Sequence, residues 1–230
     1  MSYILLKCTT TGFTTFLITK QKVPILSTVS LFPETQMNIT QSFSYMYKDG
    51  SWFYKVFVGG LLVALSATTL GIPFIVGYQV RHVRDMIEKE DDILPEWKNI
   101  AGMFRDGITV LCALAIYVAV IIIATFVTGA AISLTHMGIS TGIAIFFLMP
   151  LVVIQYAKQP TLFACFNLIA LTSPMTKRPA AFATAVGSSL AVTTAAFGLG
   201  WMSLIIGWPF VIFWGIAVQT HILGQLARLQ

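Results

Sequence analysis

The stretch GITVLCALAIYVAVIIIATFVTGAAISLTHMGISTGIAIFFLMPLVVIQYA occupies residues 107–157 and contains no Asp, Glu, Lys or Arg. A second uncharged stretch follows at residues 179–227. One helical crossing of a hydrocarbon core about 30 Å thick takes about 20 residues, so each stretch is long enough for two crossings. The two stretches therefore predict an integral membrane protein.

The overall composition excludes an ordinary soluble domain. The chain is 57% hydrophobic and 10% charged, whereas soluble domains carry about 25% charged residues. Its formal charge of +5 does not indicate nucleic acid, because the basic residues form no stripe and lie beside apolar stretches. We expect no nucleic-acid partner, and we interpret the basic residues as a topology signal.

The first 36 residues differ from the rest. Lys7 interrupts the early apolar run, Thr-rich stretches follow, and no signal-peptide pattern is present. We hypothesise that residues 1–36 are an atypical extension upstream of the natural start, Met37. Residues 37–230 then form a single multi-pass membrane domain, which opens with an aromatic, interfacial segment at residues 38–55.

The first apolar stretch, residues 56–80, contains Gly71 and Pro73. Proline removes a helical hydrogen bond and clashes with the preceding turn, so a break is expected at residues 70–73. Two shapes satisfy this pattern: one kinked spanning helix, or a re-entrant pair of half-helices. We favour the kinked span.

The remaining spans are predicted at residues 108–134, 141–156, 180–197 and 202–226. A turn is expected at residues 198–200, and Pro209 predicts a kink or a late start in the last helix. Residues 158–179 are a loop region that encloses an apolar stretch too short to span, residues 162–171. The predicted fold class is thus an all-α integral membrane protein with about five transmembrane helices, or four with a re-entrant first segment.

Basic residues concentrate on one predicted face. With five spans, that face holds Arg81, Arg84, Lys89, Lys98, Arg105, Lys158, Lys177, Arg178 and Arg228. Counted from Met37, the other face has only Lys48 and Lys55, which a re-entrant first segment would also place on the basic side. Because positive residues favour the cytoplasm, we expect the 81–106 linker and the C-terminus to be cytoplasmic.

The linker at residues 81–106 holds about half of the chain's charged residues. An acidic loop at residues 88–92 leads to a set of apolar residues at helical spacing: Ile93, Trp97, Ile100, Phe104 and Ile108. This spacing predicts an amphipathic helix that lies on the membrane face until the chain turns inward at Gly107.

The linker and its flanks resemble a known family. The residues that carry the resemblance are Gly77, Tyr78, Arg81, Arg84, Leu94, Pro95, Glu96, Trp97, Phe104, Gly107 and Tyr117. They are similar to the prokaryotic multi-pass membrane family catalogued as domain of unknown function 4013. Members often have Gly before the acidic pair of the linker, where this chain has Lys89. The resemblance implies a bacterial or archaeal cell membrane and lends no activity.

Candidate chemistry is sparse. The uncharged stretches offer no proton relay, and no catalytic motif, metal site or cofactor site is predicted. Cys8, Cys112 and Cys165 show no metal-type or disulfide pairing. His136 and His221 are weak candidates for a haem or pigment ligand on opposite faces, although hydrogen-bonded interfacial histidines are favoured. His82 is interpreted as a solvated residue.

Two functions follow as expectations. The first is a non-enzymatic scaffold or accessory subunit of a membrane complex, in contact with the lipid bilayer and with other membrane proteins through the cytoplasmic linker. The second is a transporter or channel for small neutral or lipid-like solutes, because interrupted helices mark binding sites in several transporter folds.

Overall fold

The computed structural model describes residues 37–89, 93–127, 134–202 and 204–229. These ranges contain helices and no β-strand. In chain order the helices are α1 (Ile39–Ser44), α2 (Trp52–Leu65), α3 (Ile72–Lys89), α4 (Ile100–Val127), α5 (Leu134–Lys158), α6 (Leu168–Lys177), α7 (Pro179–Met202) and α8 (Leu204–Arg228). The predicted all-α fold is confirmed. The hypothesis on residues 1–36 falls outside the described part.

Four of the described helices are long and apolar enough to cross a membrane. These segments are Ile100–Val127, Met137–Lys158, Pro179–Met202 and Gly207–Arg228. A fifth span would require the pair Ile39–Lys48 and Trp52–Thr68, bent by 106°, to cross as one unit. The prediction of about five spans, or four with a re-entrant segment, agrees with this range.

Some predicted boundaries are wrong. α4 begins at Ile100, so Arg105 and Asp106 already belong to the spanning helix. α7 continues to Met202 without the turn expected at residues 198–200. A glycine inside a helix costs only about 1 kcal/mol relative to alanine and is common in membrane helices, so Gly198 does not end α7. Pro209 lies inside α8.

Residues 56–80 do not form one helix. α2 ends at Leu65, a 3₁₀ turn covers Ser66–Thr68, and α3 begins at Ile72. Thr69 has a left-handed backbone with φ of 67°. A Cβ atom placed on Gly71 would lie 2.1 Å from the carbonyl oxygen of Leu62, so the chain folds back closely on itself. The single kinked helix favoured for residues 56–80 is therefore wrong.

α2 and α3 form a helical hairpin that packs on α8. Phe213 of α8 lies against Gly59 of α2 and also against the ring of Tyr78 in α3, at a centroid distance of 5.3 Å. Near the other end of α8, Gln225 bonds Asn38 and Arg228 donates to the carbonyl oxygen of Met86. Both ends of the segment 38–89 thus lie beside the last turns of α8, which is the geometry of the re-entrant alternative.

The 93–99 part of the linker is not helical. Leu94 is 2% exposed, and Trp97 packs against the hydrophobic core. The predicted amphipathic linker helix is therefore wrong over these residues: Trp97 packs against the core whereas Ile93 is 50% exposed, so the apolar side chains do not share one face. Helical structure begins at Ile100, which is the first residue of α4.

Candidate functional site

The motif residues converge where α3 crosses α4. A Cβ atom on Gly77 would lie 1.8 Å from the carbonyl oxygen of Met103, and one on Gly107 would lie 1.8 Å from that of Pro73. Only glycine at both positions lets the two backbones approach this closely. The Gly77–Gly107 crossing fixes α3 against α4 and so places the other motif residues.

Tyr78 and Trp97 form the aromatic part of the site. Their rings stack with a centroid distance of 4.5 Å, and both rings also contact Phe213 of α8. The Trp97 indole Nε1 donates a hydrogen bond of 3.1 Å to the carbonyl oxygen of Lys55. The linker is thereby attached to α2, α3 and α8 at once.

The side chain of Lys55 makes a second contact with the linker. Its Nζ donates to Asp49 Oδ2 at 2.5 Å and to the carbonyl oxygen of Leu94 at 2.6 Å, with both charged side chains less than a tenth exposed. Burial opposes ionisation of Asp49, but hydrogen bonds from Lys55 and Ser51 outweigh it and hold the pKa of that carboxyl below its usual range. We call Asp49, Lys55, Tyr78, Leu94 and Trp97 the linker joint.

Arg84 ties three helices together. Its Nη1 donates to Asp106 Oδ2 at 3.2 Å, and its Nε donates to the carbonyl oxygen of Ala157 at 3.5 Å. The Tyr156 hydroxyl donates to the other oxygen of Asp106 at 3.0 Å. This network joins α3, α4 and α5. The motif residue Phe104 contacts Phe74 across the same helix crossing.

A polar cleft of about 230 Å³ opens beside this network. Its lining residues are Arg81, Arg84, Asp85, Asn99, Gly102, Met103 and Asp106. Arg81 donates to the carbonyl oxygen of Lys98 and lies 4.0 Å from Asp85. Opposite charges inside the cleft are therefore paired with one another, which is typical of a structural site.

His82 and His221 belong to a buried cluster with Ser42 and Tyr45. The Tyr45 ring stacks on His221 at 4.1 Å and meets the His82 ring edge-to-face at 5.5 Å. His221 Nδ1 lies 2.9 Å from the Ser42 hydroxyl. The interpretation of His82 as solvated is wrong, because the side chain is 1% exposed. Sequence position among charges does not reveal that α3 turns this residue toward α8.

Neither ring nitrogen of His82 has a hydrogen-bond partner in the described part of the chain. Burial, followed by the positive charge of nearby side chains, lowers the pKa of His82 to about 3. The residue is therefore neutral at physiological pH.

Of the two histidine candidates, the structure describes only the side chain of His221. His221 is fully buried against Tyr45, and the side chain of His136 lies outside the described part. No group of three or more His, Cys, Asp or Glu side chains able to hold a metal ion occurs there. Cys165 is buried and Cys112 exposed.

In the described part of the chain, fold and site together define an all-helical protein with four helices suited to membrane crossing and one helical hairpin packed on α8. The chain matches the family described as "Protein of unknown function (DUF4013)" over residues 60–207. This range is more than half of the chain, so the chain belongs to that family. No curated protein and no solved structure matches the chain.

Three residues of the site were not predicted to be buried. Asp49, Lys55 and Tyr45 precede the first apolar stretch and resemble ordinary interfacial residues in sequence. The available signal is weak: Lys55 opens an otherwise uncharged run, and a lysine at that position requires a partner if the run is buried.

Proposed function

We propose that this chain is a non-enzymatic multi-pass membrane protein that serves as a scaffold or accessory subunit of a membrane complex. One contrast carries the proposal: 61% of the α8 span is buried inside the protein, but only 17% of the α4 span and 22% of the α5 span. The linker joint attaches the linker to α8, and the Arg84 network joins α4 and α5 to α3. Most residues of the α4 and α5 spans are not buried inside the protein.

Lipid alone does not draw such helices together, because acyl chains are as apolar as leucine side chains. Association in the bilayer instead depends on packing against another helix. Val120, Ile123 and Phe126 are 58%, 60% and 71% exposed on α4, and they offer a contiguous surface to a helix of another membrane protein. Asp49, Lys55 and Trp97 of the linker joint form hydrogen bonds within the protein, which fits a structural role better than a catalytic one.

A photo-crosslinking residue at Val120 or Phe126 tests this surface in native membranes. We expect a discrete protein adduct at these positions and none at Val110, which is fully buried. A matched Ile123→Trp substitution in the same chain should lower the adduct yield by obstructing the contact. Adducts with lipid alone at both exposed positions would refute the scaffold proposal.

For location, we propose the prokaryotic cell membrane, with the linker and the C-terminus in the cytoplasm. The support is the set of nine basic residues on one predicted face. The hairpin geometry adds to it, since Lys48 lies in the segment that packs beside the last turns of α8, and Lys55 is neutralised by Asp49.

A transporter or channel for small neutral or lipid-like solutes is the second candidate. The α2–α3 hairpin favours it, because re-entrant segments occur where membrane proteins bind solutes. Flux of neutral solutes or of fluorescent lipids into proteoliposomes would support this function. Flux equal to that of empty liposomes, with protein that remains folded, would count against it.

A further inference from the structure

α6 and the 3₁₀ turn before it display large apolar side chains. Phe163 is 85% exposed, Leu168 62% and Ile169 86%, and Met175 continues this face at helical spacing from Leu168. The neighbouring face, with Leu171 and Pro174, is buried, and α6 packs there against α5 and α7. α6 therefore has one side docked on the protein and one uncovered side, on which large apolar side chains lie beside Thr172 and Thr176.

A hydrogen bond places this segment beside the apolar part of α4. The Tyr117 hydroxyl donates to the carbonyl oxygen of Cys165 at 2.8 Å, and its ring contacts Phe166. Tyr117 lies well inside the uncharged stretch that begins at Gly107. When α4 crosses a bilayer, the uncovered side of α6 accordingly lies near the boundary between acyl chains and headgroups rather than in bulk water.

Cations flank the apolar face. Lys158, Lys177 and Arg178 lie at the two ends of the segment, and Lys177 is within electrostatic range of Lys158. No Asp or Glu occurs anywhere in the chain after Asp106. Residues 158–179 thus carry three positive charges and no carboxylate of their own.

We propose that residues 158–179 form an interfacial site for anionic phospholipids. Phe163, Leu168 and Ile169 enter the outer part of the acyl-chain region, and the flanking cations meet the phosphate groups. An apolar face bordered by Lys and Arg is the arrangement by which interfacial helices bind anionic membranes. The surface role predicted for the linker fits α6 better, because Ile169 is 86% exposed whereas Leu94 and Trp97 of the linker pack in the protein core.

The charge part is tested with purified protein titrated with phosphatidylglycerol and followed by native mass spectrometry. We expect the K158Q/K177Q/R178Q variant to lose affinity for phosphatidylglycerol by about tenfold or more, with binding of phosphatidylcholine unchanged. The matched control K48Q/K98Q/R105Q removes the same charge from other exposed positions and should change affinity less than about threefold. Equal losses in the two variants, or none in either, would overturn the site.

The apolar part is tested with a fluorophore on Thr172→Cys, in a chain whose native cysteines are replaced by alanine. In phosphatidylglycerol nanodiscs we expect quenching by nitroxide-bearing lipids and little by aqueous iodide. The L168S/I169S variant should reverse that order without unfolding, because both side chains are exposed. A label that iodide reaches freely in the unsubstituted background would mean that α6 faces water or awaits a protein partner, and the proposal would fail.

Discussion

Lys55 and Asp49 are a charged pair that the fold hides almost completely from solvent. In sequence they belong to an aromatic segment typical of a membrane interface, where both would be solvated. Their burial follows from contacts that no local pattern contains, since the oxygen of Leu94 that accepts from Lys55 is 39 residues away along the chain. The sequence could indicate that a lysine here needs a partner if it is buried, but it could not show which groups supply that partner.

Lys55→Met should be strongly destabilising. The substitution leaves Asp49 buried without its counter-ion and leaves the Leu94 carbonyl without its donor, at a cost of about 3–5 kcal/mol in the free energy of unfolding. The loss in the free energy of unfolding can be measured by unfolding the protein with SDS in mixed micelles. The double variant D49N/K55M should recover a large part of the loss, since no unpaired charge remains.

The exposed pair Lys98–Glu96 supplies the control. Its side chains are 76% and 55% exposed, so Lys98→Met should change the free energy of unfolding far less than Lys55→Met. Equal effects at the two lysines would show that the Lys55 pair is not buried as described.

The buried His82 side chain should make the free energy of unfolding depend on pH. Its pKa in the folded chain is about 3, below the value of about 6.5 for an unfolded histidine. The unfolded state therefore binds the proton first, and the contribution of neutral His82 is complete above pH 6.5 and declines as the pH falls. We expect a loss of about 1.4 kcal/mol per pH unit below that point.

Thermal unfolding in detergent between pH 7 and pH 5 measures this slope. His82→Phe keeps a ring in the Tyr45 contact and removes the proton site, so its slope should be shallower by about one proton. A slope unchanged by the substitution would place the responsible group elsewhere.

At the scale of elements, the spacing of apolar residues alone did not decide whether a segment is helical, because spacing does not show which of them face the protein. Ile93, Trp97 and Phe104 have helical spacing, but Trp97 stacks on Tyr78 and the chain there is not helical. Gly71 and Pro73 correctly marked a break, but spacing alone does not tell a kink from a reversal. The reversal needs α8 as a surface for both halves, which is tertiary information.

The Gly77–Gly107 crossing gives a prediction for the α3–α4 pair. Gly77→Ala brings a methyl group against the backbone of Met103, which cannot move as a flexible side chain would. We expect destabilisation of about 1–3 kcal/mol or more, together with a lower thermal midpoint in detergent.

Gly187→Ala is the matched substitution, because a Cβ atom there meets nothing within 4 Å. Alanine favours a helix over glycine, so this variant should be neutral or slightly more stable. Similar losses for the two variants would contradict the close crossing.

At the scale of the whole molecule, the helices suited to membrane crossing were predictable. Charged side chains are costly inside a bilayer, so long uncharged stretches mark the segments that can cross it. The four helices suited to membrane crossing, including Ile100–Val127 and Pro179–Met202, correspond to predicted spans. The motif residues from Gly77 to Gly107 were recognised as a group, and the structure shows why they belong together. The buried cluster of His82 and His221 was missed because it joins α3 to α8, which are far apart in the chain.

The central inference is that the segment 38–89 enters and leaves the membrane on one face. It rests on contacts of both its ends with the last turns of α8, through Gln225 and Arg228. If α8 crosses the bilayer, Lys48 must share the face of Lys98 in the linker. The end of α7 at Met202 must lie on the opposite face.

Single cysteines at Lys48, Lys98 and Met202, in a chain without its native cysteines, test this most directly with a membrane-impermeant maleimide. All three positions are exposed. The account predicts that Lys48→Cys and Lys98→Cys react only in inverted vesicles and Met202→Cys only in intact cells. Reaction of Lys48→Cys together with Met202→Cys, on the face opposite Lys98→Cys, would contradict it and establish a full first span.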